Sequence, residues 1–265
     1  MLLPILVPEM TGSERPDTAT RPAKCRVTIR FPHVDPAGIV FYPRYFETVS
    51  RCFADLPFSA TPFAIKTQFL RPNRLGDTLD IELLGGNDWS ISGRMDGDEC
   101  FSIRPLTGST ELANDAHLQP ALAFRTTAET LGEWACGTNG HMQLSRYFEF
   151  LNMAIEEWLE DRLEMPFPNM HLGRRVGIPT VQFNTRCRRL PEVGEIVSTW
   201  IRPTKLGDRA MTFRSWFVCG NECVVENEQV VVFVHMQERG YASMPIPGDM
   251  RARFAEQMNA SGARQ

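Results

Sequence analysis

The chain has 265 residues, enough for one large domain or for two domains of about 120 residues, which is the commoner size. A hydrophobic fraction of 43% and a charged fraction of 23% are those of a soluble globular protein. The net charge of -4 and the lack of a basic run give no reason to expect a nucleic-acid partner.

The first segment, MLLPILVPEM, is apolar but short, is interrupted by proline and has no basic region before it. It therefore predicts neither a membrane span nor a signal peptide, and residues 1–22 are expected to form a disordered lead. The seven cysteines are scattered and include no CxxC pair, which indicates reduced thiols, a cytoplasmic location and no metal site.

Residues 25–31 alternate between polar and apolar side chains and predict a half-buried strand. Pro43 suits the first position of a helix, and the apolar spacing after it predicts a helix to about Leu56. Turns that contain Gly, Asp or Asn then separate four predicted strands, at 63–70, 77–84, 89–95 and 99–106.

The same order of features returns later in the chain. RYFE begins at Arg44 and again at Arg146, a Gly-acid turn occurs at Gly76 and Gly194, and GDEC at Gly97 matches GNEC at Gly220. These pairs predict two copies of one unit.

The second copy has a longer predicted helix, 144–163, followed by strands at 181–187, 196–202, 211–218 and 230–236. The expected fold class is α+β, with two tandem units that each wrap an antiparallel sheet around a central helix. The predicted boundaries are 23–115 for the first unit, 116–243 for the second and 244–265 for a C-terminal tail.

The stretch Asp35-Pro36-Ala37-Gly38 predicts a tight turn, since proline presets φ and Gly38 tolerates a positive φ. A helix begins shortly after it, and the first N–H groups of a helix lack partners and carry partial positive charge. A carboxylate beside such donors suits acyl transfer, with the oxyanion held by the backbone amide of Tyr42 or Arg44. The alternative is that Asp35 only shapes the turn.

The whole stretch HVDPAGIVFYPRYFE, from His33 to Glu47, resembles the signature of the 4-hydroxybenzoyl-CoA thioesterase family of hotdog-fold proteins. The resemblance implies that Asp35 is the catalytic carboxylate and that the amide of Tyr42 polarises the thioester carbonyl. His33 stands where many relatives have another acid, and it either tunes Asp35 or caps the preceding strand.

Residues 146–181 are similar to the long helix and following loop of the same family. If Gly140 matches Gly38, however, Gly137 takes the position of Asp35, and this half should not catalyse by that route. The two copies are therefore expected to form one composite site.

In that composite site the first half would supply Asp35 and the helix start, and the second half would supply the loop 171–180. The resemblance suggests that Arg174 and Arg175 meet the phosphates of coenzyme A and that Thr180 lines the acyl pocket. A solvated loop is the alternative role for the two arginines.

The expected function is hydrolysis of an aromatic or medium-length acyl-CoA, with no metal or redox cofactor and with coenzyme A only as part of the substrate. No membrane partner is expected, and by analogy with hotdog proteins two chains would pair as a homodimer.

Two other functions remain open. One is a non-catalytic acyl-CoA-binding protein, because one half lacks the acid. The other is an enoyl-CoA hydratase or dehydratase, which needs a His/carboxylate pair for which His33 and His141 are poorly placed. Glu149, Glu156 and Glu157 of the second helix are either an auxiliary acid or ordinary helix residues.

Overall fold

A computed structural model describes residues 22–108, 123–237 and 240–262. The predicted disordered lead, apart from its last residue, and the predicted boundary between the two units at 115 and 116 lie outside the described residues.

The first half contains one helix and five strands: β1 (Ala23–Thr28), α1 (Pro43–Cys52), β2 (Phe63–Phe69), β3 (Thr78–Leu84), β4 (Ser90–Met95) and β5 (Asp98–Pro105). The second half has two short strands before its helix: β6 (Phe124–Arg125), β7 (Glu129–Thr130) and α2 (Leu144–Leu163). It continues with β8 (Val176–Gly177), β9 (Thr180–Cys187), β10 (Ile196–Leu206), β11 (Ala210–Cys219), β12 (Glu222–Val232), β13 (Val234–Gln237), β14 (Gly240–Ser243) and α3 (Gly248–Gly262).

Both halves contribute to one antiparallel sheet of 11 strands. From one edge the order is β1-β3-β4-β5-β2, and from the other it is β6-β10-β11-β12-β9, with β7 also on β10. In each half, therefore, the first strand lies at the edge, and the first strand of the large sheet after the helix, β2 or β9, lies at the centre. The central strands β2 and β9 pair with each other, which confirms the expected α+β class and joins two similar units.

The two helices meet at the centre of the molecule through the RYFE repeat. Phe46 of α1 and its counterpart Phe148 of α2 are fully buried, and their rings stack with centroids 4.2 Å apart. Arg44 forms an ion pair with Glu149, a bond that crosses from α1 to α2. Because equivalent residues contact each other here, the two halves are related by an approximate twofold axis between the helices.

The single strand predicted over 230–236 is divided in the structure between the end of β12 and the start of β13. The chain leaves the large sheet at Phe233, whose N–H donates to the carbonyl of Arg209 at 2.7 Å. The residues after it form β13, which pairs with β14 and β8 in a separate three-stranded sheet. A continuous apolar run could not show this break, because the break depends on the hydrogen bond from Phe233 to Arg209, which is distant in sequence.

Two predicted ends in the first half also differ from the structure. The first strand stops at Thr28 instead of continuing to 31, and Phe31–His33 form a short 3-10 turn. Helix α1 stops at Cys52 instead of near Leu56, with Phe53 already in an extended conformation.

The C-terminal segment, expected as a tail, includes helix α3. Met250 and Phe254 of α3 are fully buried, and the Phe254 ring stacks on Trp158 of α2 with centroids 5.8 Å apart. Because α3 buries these apolar side chains, it packs as part of the second unit.

The expectation that all cysteines are reduced is wrong for one pair. Cys25 of β1 and Cys52 at the end of α1 form a disulfide, although 27 residues separate them in sequence. The fold brings these positions together, which their spacing could not reveal. The other five cysteines are free.

Candidate active site

The turn before α1 holds the side chain of Asp35 in place. Its Oδ1 accepts hydrogen bonds from the N–H groups of Ala37 at 2.8 Å and Ile39 at 3.2 Å. The Asp35 N–H donates to the carbonyl of Ile39, and the Gly38 N–H donates to the carbonyl of Asp35. Gly38 has φ of +76°, which a residue without Cβ adopts at little cost. The carboxylate therefore has a fixed orientation, with Oδ2 free of these contacts.

Burial raises the pKa of Asp35 above the usual range for aspartate, because a charged carboxylate is poorly solvated in this half-buried position. The N–H groups of Ile39 and Ala37 act in the opposite direction, as does the nearby imidazole of His171. A carboxylate whose pKa is raised is a stronger base than an exposed one, which suits it for attack or for proton abstraction.

The start of α1 lies directly after this turn and offers a backbone N–H. The Phe41 N–H donates to the carbonyl of His33 at 3.0 Å, which closes the turn against the helix start. Pro43 has no N–H, and the N–H of Arg44 donates to the carbonyl of Phe41 at 2.8 Å. Within the described part of the chain the N–H of Tyr42 has no acceptor. Of the two predicted donors, Tyr42 is therefore the one free to bind an oxyanion.

The side chain of Tyr42 crosses to the second half. Its hydroxyl donates to the carbonyl of Phe148 at 3.1 Å, and its ring lies 5.1 Å from that of Phe183 on β9. Burial raises the pKa of Tyr42 well above the usual range, while the Gln229 side chain favours its ionisation. Gln229 also donates to the buried hydroxyl of Thr180 at 2.7 Å. The structure thus links Thr180 of the second half to Tyr42 of the first.

The second half also faces Asp35. His171, in the turn Asn169–Gly173 after α2, and Tyr241 of β14 both interact electrostatically with its carboxylate. Burial raises the pKa of Tyr241 to about 12, and the negative charge of Asp35 adds to this effect. The Arg74 guanidinium lies 6.0 Å from the centre of the Tyr241 ring. The surroundings of Asp35 are therefore shared between the halves.

Comparison with protein families gives a match to the second half. Residues 131–254 match the model of the Thioesterase-like superfamily. The match includes α2 and most of the second unit, and it omits the turn that carries Asp35. No curated protein matches the sequence.

Two solved structures resemble most of the chain. A protein assigned as an oleoyl thioesterase from Lactobacillus plantarum is 11% identical, with a TM-score of 0.59 over 82% of this chain and 97% of its own. The 12:0-ACP thioesterase from Umbellularia californica is 10% identical, with a TM-score of 0.58 over 80% of this chain and 94% of its own. The fold is the hotdog fold of thioesterases. Because both matches cover about four-fifths of the chain, the likeness includes both hotdog units.

A variant 4-hydroxybenzoyl CoA thioesterase bound to 4-hydroxybenzoyl CoA also matches, with 13% identity and a TM-score of 0.46 over 50% of this chain and 98% of its own. In the described residues of the double hotdog, no helix is both long and apolar enough to cross a bilayer.

Several predicted contact residues of the hotdog site have other partners. His33 accepts a hydrogen bond from the Arg30 N–H at Nδ1, 3.0 Å away, and so caps the short turn Phe31–His33. The guanidinium of Arg44 pairs with Glu47 at 2.9 Å and Glu149 at 3.0 Å.

The two loop arginines differ from each other. Arg174 forms two hydrogen bonds to Asp249 of α3, at 2.7 and 2.9 Å, so its charge is already paired. Arg175 has φ of +55° and is exposed, and within the described residues its guanidinium makes no ion pair. Of the two, Arg175 is the one available to a phosphate.

The glutamates of α2 also differ in their partners. Glu149 is held by Arg44 and Arg146. Glu156 accepts a hydrogen bond from the Asn152 side chain at 2.6 Å, and burial raises its pKa. Glu156 interacts electrostatically with Tyr42, as Glu149 also does, so both of these helix glutamates border the site.

Sequence reasoning placed the loop 171–180 at the site without singling out His171, and it missed Tyr241 together with Arg74, which lies over the Tyr241 ring. His171 begins the loop that was expected to reach the site, and that position was the available signal. Tyr241 lies in a small sheet that the sequence did not predict, and Arg74 begins the Gly-acid turn at Gly76, whose motif does not indicate where the Arg74 side chain lies. Their approach to Asp35 depends on how the halves pack together.

Proposed function

We propose that the chain is an acyl-CoA thioesterase with one composite active site, which hydrolyses an aromatic or medium-length acyl-CoA to the free acid and coenzyme A. The observation that carries the proposal is the half-buried Asp35, anchored by two backbone N–H groups beside the unpaired N–H of Tyr42. The thioesterase fold of both units and the superfamily match of the second unit support it.

In the proposed reaction the thioester carbonyl accepts a hydrogen bond from the Tyr42 N–H at the start of α1. Negative charge develops on that oxygen as the tetrahedral intermediate forms, and the helix start stabilises it. Asp35 either attacks the carbonyl carbon or removes a proton from the attacking water. The intermediate then collapses with loss of the coenzyme A thiolate. If water attacked, this step gives the free acid; if Asp35 attacked, it gives an acyl-Asp35 anhydride, which water hydrolyses to the free acid and Asp35.

The acyl group would lie against the aromatic side chains near Tyr42. The rings of Phe148, Phe183 and Phe69 surround the Tyr42 ring, with each of their centroids within 6.3 Å of the Tyr42 centroid. Phe148 and Phe183 are fully buried, so the acyl group would chiefly contact the half-buried rings of Tyr42 and Phe69, which favour an aromatic or apolar acyl group. Thr180 and Gln229 would add hydrogen-bonding groups at its edge.

A second candidate is hydration of an enoyl-CoA. This reaction needs a histidine and a carboxylate in one site, and His171 interacts electrostatically with Asp35 across the two halves. The thioesterase proposal remains the stronger one, because the free N–H of Tyr42 serves an oxyanion and the relatives in fold are thioesterases.

The test is thiol release from benzoyl, hydroxybenzoyl, phenylacetyl and straight-chain acyl-CoAs, with acyl-carrier proteins and an enoyl-CoA in parallel. The proposal expects thiol release from one class of acyl-CoA and no loss of the enoyl double bond. Hydration of the enoyl-CoA without thiol release would support the second candidate, and binding without either reaction would support a non-catalytic acyl-CoA-binding protein.

A single turnover in isotope-labelled water would then assign the role of Asp35. If Asp35 is the general base, the labelled oxygen enters the product acid directly. If it is the nucleophile and water attacks the Asp35 carbonyl of the resulting anhydride, the label appears first in the Asp35 side chain.

A further inference from the structure

The inner face of the second unit carries buried polar side chains whose hydrogen bonds are incomplete. Asn227 of β12 is fully buried, and its Oδ1 accepts the hydroxyl of Thr185 at 2.7 Å, but its Nδ2 has no partner among the described residues. On the same strand Gln229 is buried and donates to Thr180, while its Oε1 also lacks a partner in the described part of the chain. An unpaired buried amide group destabilises a protein, so these two positions require an explanation.

Two hydroxyl groups extend this polar surface to β11 and α2. Ser215 of β11 is the register partner of Asn227 and is buried as well. The Tyr147 hydroxyl of α2 faces Ser215, whose side chain favours its ionisation. Neither hydroxyl makes a hydrogen bond of good geometry within the described residues. Asn227, Gln229, Ser215 and Tyr147 together form the polar cluster.

The equivalent strands of the first unit carry apolar side chains. The order β2, β5, β4 in the first unit corresponds to β9, β12, β11 in the second. Ile103 of β5 pairs with Ile91 of β4, and both are fully buried, whereas Asn227 pairs with Ser215. Ile103 and Asn227 each pair on their other side with a threonine of the central strand. Since the first unit folds with two isoleucines here, the fold does not require the polar pair.

The polar cluster borders the side chain of Tyr42, whose N–H is the proposed oxyanion donor. Gln229 is the register partner of Phe183 on β9, and the Phe183 ring lies 5.1 Å from the Tyr42 ring. The Tyr42 hydroxyl donates to the carbonyl of Phe148, the residue after Tyr147. The cluster therefore lies about the length of a tyrosine side chain away from the position of the reacting carbonyl.

The charge near the cluster is negative. The charged side chains that act most strongly on the two tyrosines are all acids: Glu149, Glu156 and Glu226. A carboxylate on the substrate would be repelled by these acids and can only accept hydrogen bonds. An uncharged hydroxyl can donate to Oε1 of Gln229 and accept from Nδ2 of Asn227.

We infer that the polar cluster binds the far end of the acyl group, and that Asn227 and Gln229 select substrates with an uncharged hydroxyl or amide group there. The inference rests on the proposed function, because it takes the Tyr42 N–H as the position of the thioester carbonyl. A bound hydroxyl supplies the partners that the two amide groups lack. An unsubstituted acyl group leaves them unpaired and is therefore the poorer substrate.

The Tyr42 ring is the half-buried group between the site and the cluster, whose unpaired atoms are sealed from solvent. The acyl group reaches these atoms when this ring turns aside, while the Tyr42 N–H stays in place as part of the backbone. The substrate hydroxyl then takes a position next to Gln229, where the Tyr42 hydroxyl lies in its absence.

The test compares three thioesters, in whichever series, aromatic or straight-chain, the wild type hydrolyses best: the unsubstituted acyl-CoA and its analogues with a terminal hydroxyl or carboxylate. The wild-type kcat/KM for the hydroxyl analogue should exceed the other two by at least about tenfold. The double variant Asn227→Leu, Thr185→Val replaces a hydrogen-bonded pair by apolar side chains of similar shape, and it should lower the ratio of the hydroxyl to the unsubstituted substrate to about one.

Thr199→Val is the matched control. It removes a buried, unpartnered hydroxyl from the same inner face, on β10, two strands away from β12, and should keep the wild-type ratio. If the double variant does not fold, Ser215→Ala tests the cluster by the same ratio, which should fall severalfold.

Equal wild-type rates for the hydroxyl and unsubstituted substrates would overturn the inference, as would an unchanged ratio in the folded cluster variants. If the wild type releases no thiol from any acyl-CoA, the proposed function fails. Calorimetric binding of the same three thioesters to wild type and variants then still decides whether the cluster selects the hydroxyl.

Discussion

The turns that lead into α1 and α2 have the same backbone and different side chains. The N–H of Asp35 donates to the carbonyl of Ile39 at 2.8 Å, and the N–H of Gly137 donates to the carbonyl of His141 at 2.8 Å. The glycines that follow have φ of +76° and +79°. The second turn forms without an acid, and there Oδ1 of Asn139 accepts the N–H of His141 at 3.2 Å, as Asp35 accepts that of Ile39, so the fold requires a side-chain acceptor in the turn but not a carboxylate. This comparison argues against a purely structural role for Asp35.

The surroundings of the two turns also differ. Asp35 is half-buried and faces His171 and Tyr241 of the other unit. His141 in the second turn is exposed and lies 3.8 Å from Glu192 of its own unit. Helix α1 has 10 residues, whereas α2 has 20 and is followed by the turn that carries His171. The longer second unit therefore covers the first turn.

The strongest test of the difference between the two turns is to move the acid from the first turn to the second. Asp35→Asn should lower kcat by about a thousandfold, within the range for loss of a catalytic base or nucleophile. Adding Gly137→Asp to that variant should restore none of the loss, because the second turn lacks a partner such as His171 among the described residues. Thiol release measures both variants.

The transplanted acid should be tolerated by the fold. A Cβ at Gly137 would lie 3.1 Å from Oδ1 of Asn139, a side chain that can rotate away. Recovery of more than about a tenth of the wild-type rate in the double variant would mean that the turn alone is sufficient, and that the contribution of the second unit is wrong.

A matched pair of glycine variants separates folding from catalysis. Gly38→Ala and Gly140→Ala should each cost about 1 kcal/mol of stability, because both positions have positive φ. An added Cβ meets nothing within 4 Å at either site, so the cost is in the backbone. Chemical denaturation should give similar losses, while only Gly38→Ala lowers kcat, by about tenfold, through the shifted carboxylate. Equal effects on kcat would contradict the assignment of the site to one turn.

The raised pKa of Asp35 makes a prediction about stability and pH. The folded state binds this proton more tightly than the unfolded chain, so ionised Asp35 lowers stability as pH rises through its folded pKa. Asn can accept the same N–H bonds without the charge. Asp35→Asn should therefore unfold at a higher temperature than the wild type at pH 8, and the difference should vanish near pH 4. A variant that is less stable at pH 8 would show that the charge itself supports the turn.

The smallest effects are expected for the arginines of the RYFE repeat. Arg44 pairs with Glu47 and Glu149, and Arg146 pairs with Glu149. Arg44→Met and Arg146→Met should each lower stability by about 1 kcal/mol or less and change KM by less than about twofold. A large rise in KM for Arg44→Met alone would contradict this expectation and would mean that the Arg44 side chain contacts the substrate.

The sequence revealed the parts of the molecule that depend on local patterns. The RYFE repeat predicted two helices in equivalent positions. The residues Asp35–Gly38 predicted the first turn, and their comparison with the second turn predicted that Gly137 replaces the acid there. Helix spacing and turn residues carry this information within a few positions of the chain. The α+β class followed from the same patterns.

The rest depends on contacts between distant segments. The disulfide from Cys25 to Cys52, the break of the apolar run at Phe233 and the approach of Tyr241 to Asp35 have no local signature. The partners of Arg174 and Arg44 likewise depend on α3 and on the approximate twofold axis. Because these contacts join segments that are far apart in sequence, single-chain patterns could not predict them.

The central claim is that Asp35 in the first unit performs thioester hydrolysis for the whole chain. The most direct measurement is kcat for the best acyl-CoA in wild type and Asp35→Asn, with folding checked by circular dichroism and substrate binding by calorimetry. The account predicts that the variant folds, binds the substrate with similar affinity and loses kcat by about a thousandfold. A folded variant that keeps most of the wild-type kcat would contradict it.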